Sequence, residues 1–227
     1  MNAKQNYALL KGQQTDLYRS IINNTLAIAS NLGYVGLVHP ESVYDDPNGQ
    51  PLRKELYQRL VYHFQFKNEL NLFDIDHHNI YSLNIYAGSK SEPNFYSINN
   101  LFHPSTIDNS FNHSGNGLPG GFKKQDENGK FIWNTDPHKS RIIQFNKESL
   151  SILAKTFEDS DNWQVAKLVS IHSNEILSVL KKLSTFTNKL YNYKKKTVEG
   201  WHETNDIGKW VERTTKWASY NDYELIF

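Results

Sequence analysis

The sequence contains no cysteine. That excludes disulfides, thiolate metal sites and a cysteine nucleophile, and it fits a reducing compartment. No run of about 18 apolar residues occurs, so no stretch of it reads as a membrane-spanning helix. Met1-Asn2-Ala3-Lys4-Gln5 lacks the apolar centre of a signal peptide, and the expected location is cytoplasmic. A charge excess is missing too: 25 basic against 24 acidic residues leave a net charge of +1. Bulk electrostatics therefore gives no pull toward nucleic acid, and any such surface must be a local patch. No Gly-x-Ser-x-Gly nucleophile signature is present. Gly12-Gln13-Gln14 and Gly117–Gly121 lack the spacing and following Lys of a phosphate loop.

What is present is aromatic. Twelve Phe, 13 Tyr and 5 Trp, in a chain of 227 residues with mean hydropathy −0.66, argue for a real core under a polar surface. The stretch Gly33-Tyr34-Val35-Gly36-Leu37-Val38-His39-Pro40 has a short apolar run bounded by Gly and Pro, which suits a strand buried on both faces. A helix precedes it: Thr15 is a candidate cap with Asp16 in the first turn, and Leu17, Ile21, Leu26 and Ala29, widened by Ile22 and Ile28, form the expected buried stripe. Asp45-Asp46-Pro47-Asn48-Gly49 reads as a turn. Pro51 then opens a second helix with Leu52, Leu56 and Leu60 on one face and Arg53, Lys54, Glu55 and Arg59 on the other. This helix–strand–helix order points to an α/β sheet, in which ligands sit beyond the carboxyl ends of strands, here His39-Pro40-Glu41.

Tyr62–Phe66 and Ile80–Tyr86 alternate as strands and are expected to pair as a hairpin with a long connection, at the edge of a mostly parallel sheet. From Gly88 to His138 the composition predicts an irregular excursion with a turn at 127–130. Arg141–Phe145 is a further strand. Asn146 caps a helix bearing Leu150, Leu153, Ala154 and Phe157. A last helix begins near Ser173, with Ile176, Val179, Leu180 and Leu183 at helical spacing. Residues 1–90, 91–145 and 146–227 are the expected organisational units.

Three groups of residues carry chemistry. Asp74-Ile75-Asp76-His77-His78 holds carboxylates and imidazoles, which bind zinc or manganese. Adjacent imidazoles point to opposite sides of an extended chain, so the group reads first as a polar loop. Glu41 with Asp45 and Asp46 is a carboxylate cluster of the kind a metal-dependent nuclease uses, but no acidic-x-Lys strand accompanies it. Lys194-Lys195-Lys196 beside Tyr191, Tyr193 and Trp201 combines cations with stacking faces, as a nucleic-acid surface requires.

Three blocks together resemble a known family. They are Thr15-Asp16-Leu17-Tyr18 with Gly33 through Glu41; His63-Phe64-Gln65-Phe66-Lys67-Asn68-Glu69-Leu70 with Leu72-Phe73 and Ser82-Leu83-Asn84-Ile85-Tyr86; and Trp201-His202-Glu203-Thr204-Asn205. This order is similar to the later half of gamma-class N6-adenine DNA methyltransferases, of the type IIG restriction–modification kind. The resemblance implies the C-terminal half of a Rossmann-like methyltransferase sheet, followed by an irregular, partly helical region that begins target recognition. It places Asp16, Leu17 and Tyr18 on the lining of the S-adenosylmethionine pocket, and Phe73 where an aromatic stacks on the flipped adenine. Tyr191, Tyr193 and Lys194–Lys196 would face DNA. No residue here is assigned as catalytic or as a metal ligand. The family's Gly-rich cofactor loop and its Asn-Pro-Pro-Tyr catalytic loop are absent from this sequence. The resulting expectation is an interior part of a larger enzyme, holding no cofactor by itself. It would need DNA, and a second polypeptide carrying the upstream half or self-association. A non-catalytic DNA- or partner-binding subunit is the alternative, and a nuclease using Asp74, Asp76, His77 or Glu41 a more distant one.

Overall fold

Alternation of large apolar with polar side chains drives five segments into one sheet. In the computed structural model, which describes residues 7–13 and 16–188, these are β1 (Tyr34–Pro40), β2 (Leu60–Lys67), β3 (Ile80–Ala87), β4 (Asn94–Leu101) and β7 (Ile143–Asn146). Their order is β1-β3-β2-β4-β7. Strand β3 runs antiparallel to both β1 and β2, β2 and β4 are parallel, and β7 is antiparallel to β4. Hence β1, β2 and β4 end at the same edge of a mixed sheet. A small ribbon, β5 (Lys123–Gln125) with β6 (Phe131–Trp133), stands apart from it. The helices are α1 (Leu17–Ile28), α2 (Ser42–Asp45), α3 (Gln50–Tyr57), α4 (Ser105–Phe111), α5 (Lys147–Phe157) and α6 (Asn174–Leu183). The fold is mixed α/β.

One face of the sheet carries the main core. Ile22 and Leu26 of α1, Tyr44, Leu52, Leu56 and Tyr57 of α2 and α3, and Leu150, Leu153 and Ala154 of α5 pack there against Tyr86, Phe95, Ile143 and Phe145. The opposite face has a smaller cluster of Phe64, Phe66, Tyr81, Ile98 and Leu101, with Ile107 of α4 beside it. Toward β1 that second face lies open: Tyr34, Val38 and Leu83 are all exposed.

Several expectations change at this point. Strand β1 is not buried on both faces. It is the edge strand, paired only with β3, and its residues alternate between exposed and half-buried until His39. In α1 the buried stripe is rotated. Asp16 occupies the N-cap, and Thr15 lies outside the described residues. Arg19 is buried and pairs with Asp46, which turns Ile22 and Leu26 inward and leaves Leu17, Ile21 and Ile28 exposed. Arg53 is not on a solvated face either; its guanidinium is buried and donates to the carbonyls of Asp46 and Val165. The stretch expected to be irregular contains β4 and α4, so the sheet runs across the boundary expected at residue 90. In α6 no residue is fully buried, and Ile176, Val179 and Leu183 are exposed. The antiparallel β2–β3 pairing with its long connection and the turn near 127–130 are found, but the pair lies inside the sheet and not at its edge, and the sheet is not mostly parallel, since β2 with β4 is its one parallel pairing. The Asn146 cap is found as read, completed by Ser149 as a capping box.

Candidate functional site

The carboxyl end of β1 opens into a pocket of about 360 Å³ lined by Val38, His39, Pro40, Phe73, Ile75, Asn79, Ile80 and Tyr81. That volume falls at the lower end of the range for small-molecule sites. The walls are apolar and aromatic, with Asn79 and His39 as the polar members. Phe73 stands edge-on to Tyr81, ring centroids 5.0 Å apart, and Tyr81 stacks on Phe66 at 5.6 Å.

Phe73 is held there by the fold of the β2–β3 connection. After β2 the chain makes a short 3₁₀ turn, Asn68–Leu70, and Asn71 takes a left-handed conformation with φ 50°. Asn68 is fully buried. Its Nδ2 donates to the carbonyls of Phe73 and Ile75, each at 2.9 Å, and its Oδ1 accepts from the Phe73 amide at 3.1 Å. One carboxamide thus replaces the backbone pairing that this loop cannot make for itself.

His39 joins the pocket to α1. Its Nδ1 donates to the Pro40 carbonyl at 3.0 Å, so Nε2 is the accepting nitrogen, and it lies 2.9 Å from the Tyr86 hydroxyl and 3.0 Å from Asn84 Nδ2. Burial lowers its pKa, keeping the ring neutral. Tyr18 stacks beside His39 at 6.1 Å, and its hydroxyl shares a hydrogen bond with Ser42 Oγ at 2.8 Å while accepting from Arg19 Nε at 2.9 Å. Asp16 lies 3.7 Å from the same Arg19, and Leu17 is exposed. So Tyr18 packs on the His39 imidazole on the helix-covered face, while Phe73 packs on Tyr81, whose strand position lies opposite Pro40 on the other face of the sheet. The polar groups of Asp16 and Tyr18 are already engaged by neighbours in this chain.

A second polar chain lies on the helix-covered face. Glu41 Oε1 is 3.0 Å from His63 Nε2, and His63 Nδ1 is 2.8 Å from Ser97 Oγ. Gln65 Nε2 donates to Glu41 Oε2 at 3.0 Å. Burial pushes the Glu41 carboxyl upward, but the His63 imidazole with the Ser82 and Gln65 hydrogen bonds outweighs it and holds the pKa at about 2. The connectivity is that of a nucleophile, base and acid. Ser97 has no solvent exposure, its oxygen is engaged by His63, and the chain serves as a pin between the end of β1, β2 and β4. Reading the sequence missed it because Ser97 lies in a segment whose Asn and Ser content hid a strand.

The Asp74–His78 group behaves differently from an extended chain. Residues 77 and 78 form a turn, which brings the His77 and His78 rings to 3.8 Å between centroids instead of sending them apart. Asp76, His77 and His78 present ligand atoms within 4.8 Å of one another, all exposed. Asp76 Oδ1 accepts from the His78 amide at 2.7 Å. Glu41 is not part of this group; it is committed to His63 and Gln65. Asp46 is committed to Arg19. Tyr191, Tyr193, Lys194, Lys195, Lys196 and Trp201 lie outside the described residues.

Among the described residues no helix is long and apolar enough to cross a membrane. No family model matches the sequence, and no curated protein matches it. Among solved structures the chain is similar to the M protein of the type I restriction enzyme EcoKI, with 12% identity and a TM-score of 0.40, over 89% of this chain and 48% of that one. The chain thus spans about half the length of that protein. A likeness at this level says nothing about activity.

Proposed function

We propose that this chain is part of a DNA adenine-N6 methyltransferase of the restriction–modification kind, and that it supplies one wall of the pocket receiving the extruded adenine. The observation that supports this most is the aromatic pocket at the carboxyl end of β1. An unstacked base loses its apolar neighbours on both faces, and Phe73 offers a flat replacement on a loop fixed by Asn68. The site also lies where α/β sheets place ligands. S-adenosylmethionine supplies the methyl group in such a reaction. In this reading Asp16, Leu17 and Tyr18 border its site, while the Gly-rich loop and the Asn-Pro-Pro-Tyr loop lie outside this sequence. His39, neutral and hydrogen-bonded on both nitrogens, keeps the β1 terminus and Tyr18 in register rather than moving a proton.

Two measurements test the proposal. Single-stranded oligonucleotides carrying 2-aminopurine in place of adenine should change emission on binding, and Phe73→Ala should weaken that response at least fivefold without altering the circular dichroism. Calorimetry with S-adenosylmethionine should show binding only when a polypeptide bearing the two missing loops is added. An unaltered response in Phe73→Ala removes Phe73 from the base site; no cofactor binding in any combination ends the methyltransferase reading and leaves a non-catalytic DNA-binding subunit.

A further inference from the structure

At the carboxyl end of β4, on the same edge as the pocket but in a different place, the interior holds an uncompensated cation. Arg141 closes the 3₁₀ turn Lys139–Arg141 and is 1% exposed. Its Nη1 donates to the Asp136 carbonyl at 3.1 Å, and its Nη2 to the carbonyls of Asn99 and Asn100 at 3.2 and 3.1 Å. All three acceptors are neutral backbone oxygens. Among the described residues no carboxylate forms an ion pair with Arg141; the Asp136 side chain points instead to Lys124, at 2.5 Å. Burial lowers the Arg141 pKa to about 10, so the group keeps its charge at neutral pH. A charge of this kind is costly to bury unless an opposite charge accompanies it.

The neighbouring side chains are short of acceptors as well. Arg141 Nε, Asn100 Nδ2 and His138 Nε2 are buried without a partner, and so are both nitrogens of His172. His138 Nδ1 accepts from the Ser140 amide at 3.0 Å, which places the ring proton on the unpartnered Nε2. Asn99 Oδ1 is the one unpartnered carbonyl oxygen of the group, its Nδ2 being spent on the Ile171 carbonyl at 2.9 Å. Each of Asn99, Asn100, His138, Arg141 and His172 is at most 5% exposed. Above them runs the glycine-rich segment 115–121. The Gly120 backbone lies close enough to the His172 ring to favour its protonated form, and Phe122 packs edge-on to that ring at 5.0 Å. Buried polar atoms of native proteins are paired in the large majority of cases, so several orphans in one place around one cation ask for a shared partner. The group has a net positive charge and a surplus of N–H donors. A metal ion is thereby disfavoured, and an anion is favoured. With Nη1 and Nη2 engaged by carbonyls, the charged guanidinium offers its free Nε–H to one oxygen of an oxyanion.

We propose that the Arg141 cluster is a binding site for a small oxyanion of the phosphate class, taken up by Arg141 Nε, Asn100 Nδ2 and His138 Nε2, with His172 completing the donor set. The site is independent of the base pocket and of the methyltransferase reading.

The test uses the full chain in inorganic phosphate, with chloride at equal ionic strength as control and AMP as the arm in which the phosphoryl group is carried by a nucleoside. Phosphate should raise the melting temperature saturably and bind in calorimetry, whereas chloride should not. Asn100→Asp sets a carboxylate beside Arg141 at a position whose left-handed backbone, φ 56°, Asp tolerates. It should raise the melting temperature without phosphate and weaken phosphate binding at least tenfold. Arg141→Lys keeps the charge but loses the Nε–H, and should also weaken phosphate at least tenfold. AMP binding with the same sensitivity identifies a phosphoryl group on a nucleotide as the ligand; phosphate binding without AMP binding identifies the free anion; both support the site. A wild-type chain that answers phosphate no differently from chloride overturns the proposal and leaves buried water as the orphans' partner. An unchanged phosphate response in both variants overturns it too.

Discussion

Glu41 shows how far one side chain's role depends on its partners. It was legible as a carboxylate at the end of a strand, and the nearest company in the sequence was Asp45 and Asp46. In the fold those two go elsewhere, and Glu41 instead meets His63 and Gln65 of β2. Its pKa of about 2, below the ordinary 4.5, fixes the sign of a pH effect. The folded state holds this carboxylate deprotonated more tightly than the unfolded chain does. The stabilisation is therefore complete above about pH 4.5 and is lost as pH falls toward 2, and its size is at most about 3 kcal/mol. We expect Glu41→Gln to destabilise the protein by about 2–3 kcal/mol at pH 7, because the carboxamide lacks the charge and offers one accepting oxygen where His63 and Gln65 now use two, so one of them faces an N–H instead of an acceptor. The variant should also flatten the acid limb of the stability curve between those two pH values. Urea titrations of both proteins from pH 7 to pH 3 check this. Equal acid sensitivity would mean that another carboxylate governs it. No periodicity argument reaches such a pair, since 22 residues separate its members and only strand register brings them together.

At the scale of elements, legibility followed local pattern strength. The clear alternation of Tyr62, Phe64 and Phe66 and of Tyr81, Leu83 and Ile85 gave β2, β3 and their pairing. Asn146 gave a helix start, because capping is a matter of a few neighbouring residues. Strand β4 stayed hidden because Asn94, Ser97, Asn99 and Asn100 disfavour strands locally; what holds them is tertiary, with Phe95, Ile98 and Leu101 fully buried. The rotation of α1 has a similar origin, since the buried Arg19–Asp46 pair overrides the apolar stripe. The connection between β2 and β3 is the element on which the pocket depends. Asn68→Ala would leave the carbonyls of Phe73 and Ile75 and the Phe73 amide without the partner they have now. We expect a loss of about 2–3 kcal/mol, from three hydrogen bonds at about 1 kcal/mol each. Amide exchange should accelerate across residues 69–79 more than in the sheet, and the 2-aminopurine response should weaken along with Phe73 order. If exchange quickens uniformly over the sheet, Asn68 is a stability residue and not the organiser of this loop.

For the molecule as a whole, the feature that bears on the second polypeptide or self-association expected from the sequence is the exposed apolar surface at β1. The outer edge of that strand pairs with nothing among the described residues. On this strand Tyr34 (71% exposed) and Val38 (55%) are open, Leu83 of β3 continues that face, and Leu17 (78%), Ile28 (83%) and Leu32 (94%) are exposed in and after the helix that precedes the strand. Native proteins blunt free edges with charge, proline or a covering element. Among the described residues the device at this edge is Pro40 at the last residue of the strand, which leaves Tyr34 to His39 able to accept another strand. A surface of this kind is satisfied either by a second polypeptide or by a second copy of the chain. With no other polypeptide present, self-association should follow. Sedimentation of the chain from 1 to 100 μM should therefore show a concentration-dependent rise in mass. Val38→Lys, which sets a charge on the edge strand without touching the main core, should return it to a monomer while costing less than about 1 kcal/mol in stability. Association that survives Val38→Lys would place the contact elsewhere, for example on the exposed Ile176, Val179 and Leu183 of α6. A wild-type chain that stays monomeric throughout that range would show that β1 is a tolerated edge rather than an interface.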